Sequence, residues 1–215
     1  MQFGKMIQTF ALADFYALCD SVGKRNHYLQ SILDEYSYPP FWTRPNTFET
    51  LVLTILEQQV SLASAYAAYR KLKEKIDKIT PQKVLQLTGE ELRSCYFSRQ
   101  KIVYVRELAD AILTRRISLK RFEKEEDGVV RKELKEVKGI GDWTVDIYLL
   151  HALQRTDIFP IGDLALVNAL RMITGKQLSK EEIILMAISW KPYRSVATMI
   201  LWHYYIKRKN IKLLH

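Results

Sequence analysis

The sequence predicts an all-α fold, and three observations along the 215-residue chain support that prediction. Capping-box pairs mark helix starts at Asn46 with Glu49, Thr88 with Glu91 and Ser179 with Glu182. Apolar residues recur at the helical period, as in Ile102, Val105, Leu108, Ala109 and Ile112. No series of alternating apolar and polar residues bounded by hairpin turns occurs, so a sheet-based fold is not expected. The pattern predicts about ten short helices.

The first part of the chain is less regular than the rest. Residues 26–45 are aromatic and contain three of the six prolines, so we predict an irregular connector there. From residue 46 onward the helical pattern persists. Thr80 followed by Pro81 marks a further helix start, because proline is favoured at the first helical position.

The composition indicates a folded, basic protein. Hydrophobic residues make up 48% of the chain and charged residues 27%, which excludes a disordered chain. Lys and Arg outnumber Asp and Glu by 33 to 24, giving a net charge of +9. Such a surplus is expected of a protein that binds nucleic acid or an anionic membrane. The basic runs 70–78, 115–124 and 207–212 are interpreted as solvated faces that together support non-specific DNA binding.

Two cysteines, Cys19 and Cys95, are too few for a disulfide framework or a four-thiolate metal centre. The apolar stretch 6–19 is interrupted by Asp14 and matches neither a signal peptide nor a membrane span. We therefore expect an intracellular protein with no membrane association and no iron–sulfur cluster. Its location would be the cytoplasm and nucleoid, or the nucleus if the host is eukaryotic.

The most informative stretch is 134–170, where a tight turn joins two helices. The turn consists of Lys138, Gly139, Ile140 and Gly141, and Asp142 is positioned to cap the following helix, predicted over 143–153. Glycines permit positive φ and allow a phosphate to approach the backbone closely. A plain turn between two helices would also use glycine here, so the turn alone leaves both interpretations open.

The residues that flank the turn resolve this ambiguity. Residues 137–144, followed by Asp163 at an apparent helix start, resemble the helix-hairpin-helix motif of the base-excision DNA glycosylase superfamily (HhH-GPD). Residues 46–72 resemble the early helix pair of that family, and residues 95–101 resemble the loop that inserts a wedge into DNA. Residues 190–205 are similar to the C-terminal helix of the 3-methyladenine DNA glycosylase II branch. The resemblance covers most of residues 46–205.

The resemblance implies a catalytic carboxylate and an aromatic base pocket. Asp163 would stabilise an oxocarbenium-like transition state, although a plain N-cap is the alternative interpretation. Bifunctional relatives such as endonuclease III carry a lysine where this chain has Trp143, so water is the expected nucleophile. Trp143, Ile147 and Trp202 would line the pocket, where cationic alkylated purines stack on aromatic rings. Ile147 replaces an aromatic residue of some relatives, and the tryptophans would otherwise be core residues.

The resemblance also implies how DNA is held. The predicted DNA-binding residues are Lys138, Gly139, Ile140, Gly141 and Thr144 at the hairpin, Ser98 and Arg99 at the wedge loop, and Gln59. In relatives the hairpin carbonyls hold a monovalent cation, Na⁺ or K⁺, which here would use Lys135, Val137 and Gly139. No cofactor is required. Asp146 and Asp157 do not match the catalytic position and are interpreted as structural or surface groups.

We therefore predict two helical lobes with the active-site cleft between them. Residues 47–151 would form one lobe, and residues 1–46 with 152–215 the other. The expected activity is release of alkylated purines from double-stranded DNA by a monomer that flips the base out of the duplex. Two alternatives stay open: a glycosylase for uracil, a mismatched base or an oxidised base, and a non-catalytic helix-hairpin-helix DNA-binding protein.

Overall fold

The computed structural model describes residues 8–212, which form thirteen helices and no strand apart from a single bridge between Thr9 and Arg155. The helices are α1 (Leu12–Gly23), α2 (His27–Tyr36), α3 (Phe48–Glu57), α4 (Leu62–Ile76), α5 (Pro81–Gln86), α6 (Gly89–Ser94), α7 (Arg99–Leu113), α8 (Leu119–Phe122), α9 (Asp127–Lys135), α10 (Asp142–His151), α11 (Leu164–Thr174), α12 (Lys180–Ile188) and α13 (Arg194–Arg208). The all-α prediction is confirmed. The helices outnumber those expected because several, such as the four-residue α8, are too short to show a period.

Most predicted helix starts are confirmed, and one is wrong. Thr88 and Ser179 form complete capping boxes with Glu91 and Glu182, and Thr80 caps α5 with proline in its first turn. The pair Asn46 and Glu49 does not cap α3, whose N-cap is Thr47. The side chain of Asn46 is used elsewhere: its amide donates to Leu119 O at 2.9 Å, and its oxygen accepts from the Tyr148 hydroxyl at 2.6 Å.

The irregular connector predicted for 26–45 is wrong in its first half, because α2 occupies residues 27–36. Asn26 caps this helix by accepting hydrogen bonds from Tyr28 N at 3.1 Å and Leu29 N at 3.2 Å. Leu29, Ile32 and Leu33 are buried at helical spacing. The prolines that suggested a connector begin only at Pro39, after the helix has ended.

The described residues divide into two compact units. The first comprises residues 8–43 and 149–212, and the second comprises residues 44–148. The chain leaves the second unit within α10. These boundaries lie three residues before the predicted ones at 47 and 151. The ends of the predicted terminal lobe, residues 1–7 and 213–215, lie outside the described residues, and the cleft between lobes stays a prediction.

The second unit is built around α3 and α7, which pack against each other. Leu51, Val52 and Ile55 of α3 are fully buried, as are Val105 and Leu108 of α7. A bidentate ion pair lies at the edge of this core, beside α3. The Arg44 guanidinium donates to both carboxylate oxygens of Glu57 at 2.8 and 2.6 Å, and the Glu57 side chain is only 6% exposed. Both charges are therefore satisfied where they are withdrawn from water.

The first unit is built around α13, which packs against α1, α2 and α11. Ten consecutive residues of α13, from Ser195 to Tyr204, are buried, so the helix is covered on all sides. Its core position fixes the orientation of any side chain that it presents to α11. Within residues 8–212, no helix combines the length and the apolar character that a membrane span requires.

Candidate functional site

The two glycines of the hairpin between α9 and α10 have different environments. Gly139 has φ +91°, and a Cβ atom there would lie 2.0 Å from Cγ of the Tyr104 ring. Only glycine satisfies both the backbone angle and this contact. Gly141 has open space where a side chain would stand and is exposed. Gly139 therefore packs the hairpin onto α7, and Gly141 leaves room for a ligand to approach the backbone.

The hairpin presents amide donors and a lysine to solvent. The amides of Gly139 and Gly141 donate to no acceptor among residues 8–212, and the Lys138 side chain is exposed. Ile140 differs from its neighbours, because its side chain is 4% exposed and its amide donates to Val137 O at 3.1 Å. Ile140 therefore holds the hairpin from within the core, and the DNA contact predicted for it stays a prediction.

A glutamine at the end of α3 fastens the hairpin. The Gln58 side-chain amide donates to Gly139 O and to the Thr144 hydroxyl, at 2.9 Å in both cases. Thr144 is only 2% exposed, so its hydroxyl faces Gln58 rather than solvent. The phosphate contact predicted for Thr144 would need this hydroxyl to turn from Gln58 to the DNA, and it stays a prediction. Sequence reasoning named the neighbouring Gln59, which is exposed with φ +56°, and missed Gln58, which also lies in the helix pair of residues 46–72.

The hairpin carbonyls are compatible with a monovalent cation. Val137 O accepts a hydrogen bond from Ile140 N, and Gly139 O accepts one from Gln58. A carbonyl oxygen has two lone pairs, so each retains one site for a second donor or an ion. Two of the three predicted carbonyls, those of Val137 and Gly139, can therefore bind a cation beside their hydrogen bonds, and the cation site with Lys135 stays a proposal.

Asp142 is the first residue of α10, and its carboxylate is engaged by cations. Both oxygens accept from Lys135 Nζ at 2.9 Å, and Oδ1 lies 3.2 Å from Arg131 Nη1. The hydrogen bond from Lys135 lowers the pKa of Asp142, and the charge of Arg131 acts in the same direction. The predicted capping role of Asp142 is replaced by this ion-pair network, which joins α9 to α10.

The carboxylate of Asp163 stands at the start of α11 and is held by two N–H donors. As the N-cap, Asp163 accepts from Leu166 N at 2.8 Å, as the sequence predicted. The same oxygen, Oδ1, accepts from Trp202 Nε1 of α13 at 3.0 Å. Because α13 is the buried central helix of its unit, the indole fixes the carboxylate from a rigid element.

The Trp202 ring is itself supported from behind. It stacks on the imidazole of His151 with ring centroids 5.5 Å apart and planes 5° apart. His151 Nδ1 lies 3.2 Å from Trp42 O, which orients the imidazole in turn. Neither His151 nor Trp42 was among the predicted site residues, because nothing in their sequence neighbourhood indicates a stack on Trp202.

Trp143 and Ile147 lie four residues apart on α10 and therefore share a face of that helix. Trp143 is half-buried, and Ile147 is 4% exposed. Both belong to the second unit, whereas Trp202 belongs to the first. Trp202 and Asp163 are thus brought together within one unit, and a pocket shared with Trp143 and Ile147 stays a prediction.

The predicted wedge loop is the turn between α6 and α7. The Ser98 hydroxyl accepts from Lys101 N at 3.2 Å and caps α7, which gives it a structural role. Arg99, the first residue of α7, is exposed. Tyr96 is 64% exposed with φ +65°, and sequence reasoning overlooked this protruding ring. Lys101 donates to Leu56 O at 2.6 Å, and burial lowers its pKa.

Asp146 and Asp157, the carboxylates that do not match the catalytic position, are both bound to arginines. Asp146 pairs with Arg131, and Asp157 pairs with Arg194 at 2.6 and 2.9 Å. Their structural interpretation fits these contacts.

Across residues 8–212, no group of three His, Cys, Asp or Glu side chains is arranged to hold a metal ion. Cys19 and Cys95 are buried and unbridged, and burial raises the pKa of Cys19 to about 12.

Comparison with known proteins gives consistent results. A family model described as HhH-GPD superfamily base excision DNA repair protein matches residues 52–195. Two relatives from Bacillus subtilis (strain 168) carry the words DNA-3-methyladenine glycosylase in their names. YfjP is 27% identical over 184 residues, covering 81% of this chain and 64% of its own length. The other is 26% identical over 172 residues, covering 74% of this chain and 57% of its own length. The chain therefore spans less than two thirds of the length of either relative.

A solved structure shares the fold over nearly the whole chain. It is the Schizosaccharomyces pombe 3-methyladenine DNA glycosylase Mag1 in complex with abasic DNA. The match has a TM-score of 0.82 at 23% identity and covers 93% of this chain and 100% of that one. At this identity the likeness establishes the arrangement of helices and leaves the chemistry to be argued from the residues.

Proposed function

The chain belongs to the HhH-GPD superfamily of base excision DNA repair proteins, and on that premise we propose that it is a monofunctional DNA glycosylase. Its substrates are alkylated purines of the 3-methyladenine and 7-methylguanine class in double-stranded DNA. The observation that carries the proposal is the Asp163 carboxylate, whose Oδ1 is fixed at a helix start by Leu166 N and by Trp202 Nε1. The names of the relatives support the substrate class.

Asp163 acts on the charge that develops during bond cleavage. As the bond between sugar C1′ and the base nitrogen breaks, the bonding electrons leave with the base and the sugar becomes oxocarbenium-like. An ionised carboxylate held in place stabilises this positive charge without reorganising. Water then adds its oxygen to C1′ and releases a proton. The carboxylate stands at the N-terminus of α11, where the helix dipole interacts favourably with a negative charge.

Water is the nucleophile because position 143 is a tryptophan. A lyase reaction needs an amine that attacks the sugar and forms a Schiff base. Trp143 carries no such amine. Alkylated purines carry a positive charge before cleavage and leave as neutral bases, so no general acid is required.

Aromatic rings recognise the cationic base. A methylated purine stacks on an electron-rich indole with a cation–π contribution of about 0.5–2 kcal/mol. The N–H of Trp202 is directed at Asp163, and Trp143 is half-buried on α10. Ile147 supplies apolar surface beside Trp143 without a further ring. The pocket would therefore accept several alkylated purines and discriminate among them weakly.

The hairpin holds the DNA backbone. Unpartnered amides of Gly139 and Gly141 and the exposed Lys138 supply phosphate donors at the start of α10. A monovalent cation on the carbonyls of Lys135, Val137 and Gly139 would add positive charge there. Gln59 is exposed and available for a further contact. Arg99 is the first candidate for the wedge that fills the space of the flipped base, and the protruding Tyr96 is the second. The chain acts on duplex DNA as a monomer.

The test is release of free base from duplex DNA treated with a methylating agent, comparing wild type with Asp163→Asn. We expect wild type alone to release 3-methyladenine and 7-methylguanine, detected by chromatography. Equal release by both forms would remove Asp163 from the mechanism. Release only of uracil or oxidised purines from a lesion panel would support the alternative glycosylase. Duplex binding that Asp163→Asn leaves unchanged, with no base released by either form, would support a non-catalytic DNA-binding protein.

A further inference from the structure

The first unit contains an open cavity of about 440 Å³ that does not include Asp163 or the residues that hold its carboxylate. It is lined by residues of α11, of the segment that follows it and of the end of α13: Asn168, Arg171, Met172, Gln177, Tyr205 and Lys209. Arg171 lies two turns beyond Asp163 on α11, at a distance along the axis of about 12 Å. The cavity therefore lies away from the carboxylate.

The guanidinium of Arg171 is incompletely satisfied. Its Nη2 donates to Leu178 O at 3.1 Å, whereas Nε is buried and has no hydrogen-bond partner. No carboxylate pairs with Arg171 among residues 8–212. The Nε donor is closed to solvent, so a ligand in the cavity meets the guanidinium through its terminal nitrogens. Arg171 is half-buried and lines the cavity, and without a carboxylate partner its charge is available to an anion there.

The other lining residues match an anion as well. Lys209 adds a second positive charge, and no acidic residue lines the cavity. Asn168, Gln177 and Tyr205 add neutral side chains that donate hydrogen bonds. The exposed Lys176 and Lys207 adjoin these residues in sequence and raise the local positive potential.

We propose that this cavity binds a phosphate group, with Arg171 as its anchor. A guanidinium fork matches the geometry of phosphate oxygens, and Lys209 adds a mobile point charge at the rim. The cavity is open to solvent, so a phosphate carried on a larger molecule can reach it. The phosphate comes either from a DNA backbone or from a free phosphate or nucleotide. The site stands whether or not the chain cleaves damaged bases.

The first experiment titrates inorganic phosphate at constant ionic strength and follows backbone amides by NMR. We expect saturable shifts centred on residues 168–177 and 205–209 in wild type. Arg171→Gln should bind about tenfold more weakly, as loss of a charge-assisted hydrogen bond implies. Lys24→Gln, which removes an exposed charge that does not line the cavity, should match wild type. Lys209→Gln, at an exposed position, should also weaken binding and covers the case in which Arg171→Gln fails to fold.

The second experiment identifies the source of the phosphate. Affinity for an undamaged duplex is measured over a salt series for wild type, Arg171→Gln and Lys24→Gln. If the backbone of DNA occupies the site, Arg171→Gln should reduce the slope of log K against log salt by about 0.9. Phosphate binding with unchanged duplex affinity would assign the site to free phosphate or a nucleotide. Absence of saturable phosphate binding together with unchanged duplex affinity would overturn the proposal.

Discussion

An aspartate stands at a helix start in each unit, and the two carboxylates are held in different ways. The Asp142 side chain is 63% exposed and is surrounded by the flexible cations Lys135 and Arg131. Asp163 is half-buried, and its Oδ1 receives N–H groups from Leu166 and from the indole of Trp202. Flexible cations neutralise a carboxylate, whereas fixed N–H groups orient it. A helix-start aspartate is therefore suited to chemistry only where packing supplies such donors.

The largest expected difference between the two aspartates is in base release. Asp163→Asn should lower release of methylated purines by about a thousandfold, because a fixed charge at the reaction centre is lost. Asparagine is as good an N-cap as aspartate, so the free energy of unfolding should change by less than about 1 kcal/mol. Asp142→Asn should leave release within about twofold of wild type, since a surface pair contributes little. Comparable losses in both variants would contradict the distinction.

The sequence predicted the parts of both sites that depend on local chemistry. Asp163 as an N-cap and the hairpin glycines follow from residue type and spacing. Contacts between distant segments were not predictable from such patterns. Gln58 reaches the hairpin across 81 positions, and Trp202 reaches Asp163 across 39. These bonds depend on how α3 and α13 pack.

The fold was predicted with the same limits. Capping boxes located α6 and α12, because both partners lie within one turn. Helix α2 was missed because nearby prolines and aromatic residues obscured its apolar spacing. The Asn46 side chain was misassigned because its partners, Leu119 and Tyr148, become neighbours only after folding.

The two glycines of the hairpin that precedes Asp142 should differ in how strongly a substitution destabilises the protein. Gly139→Ala places a methyl group against the Tyr104 ring at positive φ and should destabilise the protein by about 3 kcal/mol. Gly141→Ala meets open space and should cost less than about 1 kcal/mol. Denaturant unfolding of both variants measures this. Equal destabilisation would show that the contact with Tyr104 does not restrict position 139.

Trp202→Phe tests the donor on the side of Asp163. It removes the indole N–H and keeps an aromatic ring, so base release should fall about tenfold. Trp190→Phe is the matched control. Trp190 is fully buried in the same unit, but its Nε1 has no hydrogen-bond partner, so the change removes ring volume alone. If Trp190→Phe lowers release as much at equal stability, the effect of Trp202→Phe would belong to packing rather than to the hydrogen bond.

The smallest expected effect is the pH dependence of the Asp142 ion pair. The hydrogen bond from Lys135 holds the pKa of Asp142 below its usual value of 3.8 in the folded protein. The carboxylate therefore contributes stability that is fully present above pH 3.8 and is lost as the pH falls through the lowered pKa. Because the side chain is exposed, that contribution should be only about 0.5 kcal/mol and should shrink in high salt. Wild type should thus exceed Asp142→Asn slightly at pH 7, and the two should converge at the acid end of the range. A difference that persists unchanged into acid, or that ignores salt, would mean that Asp142 stabilises the hairpin through something other than its charge.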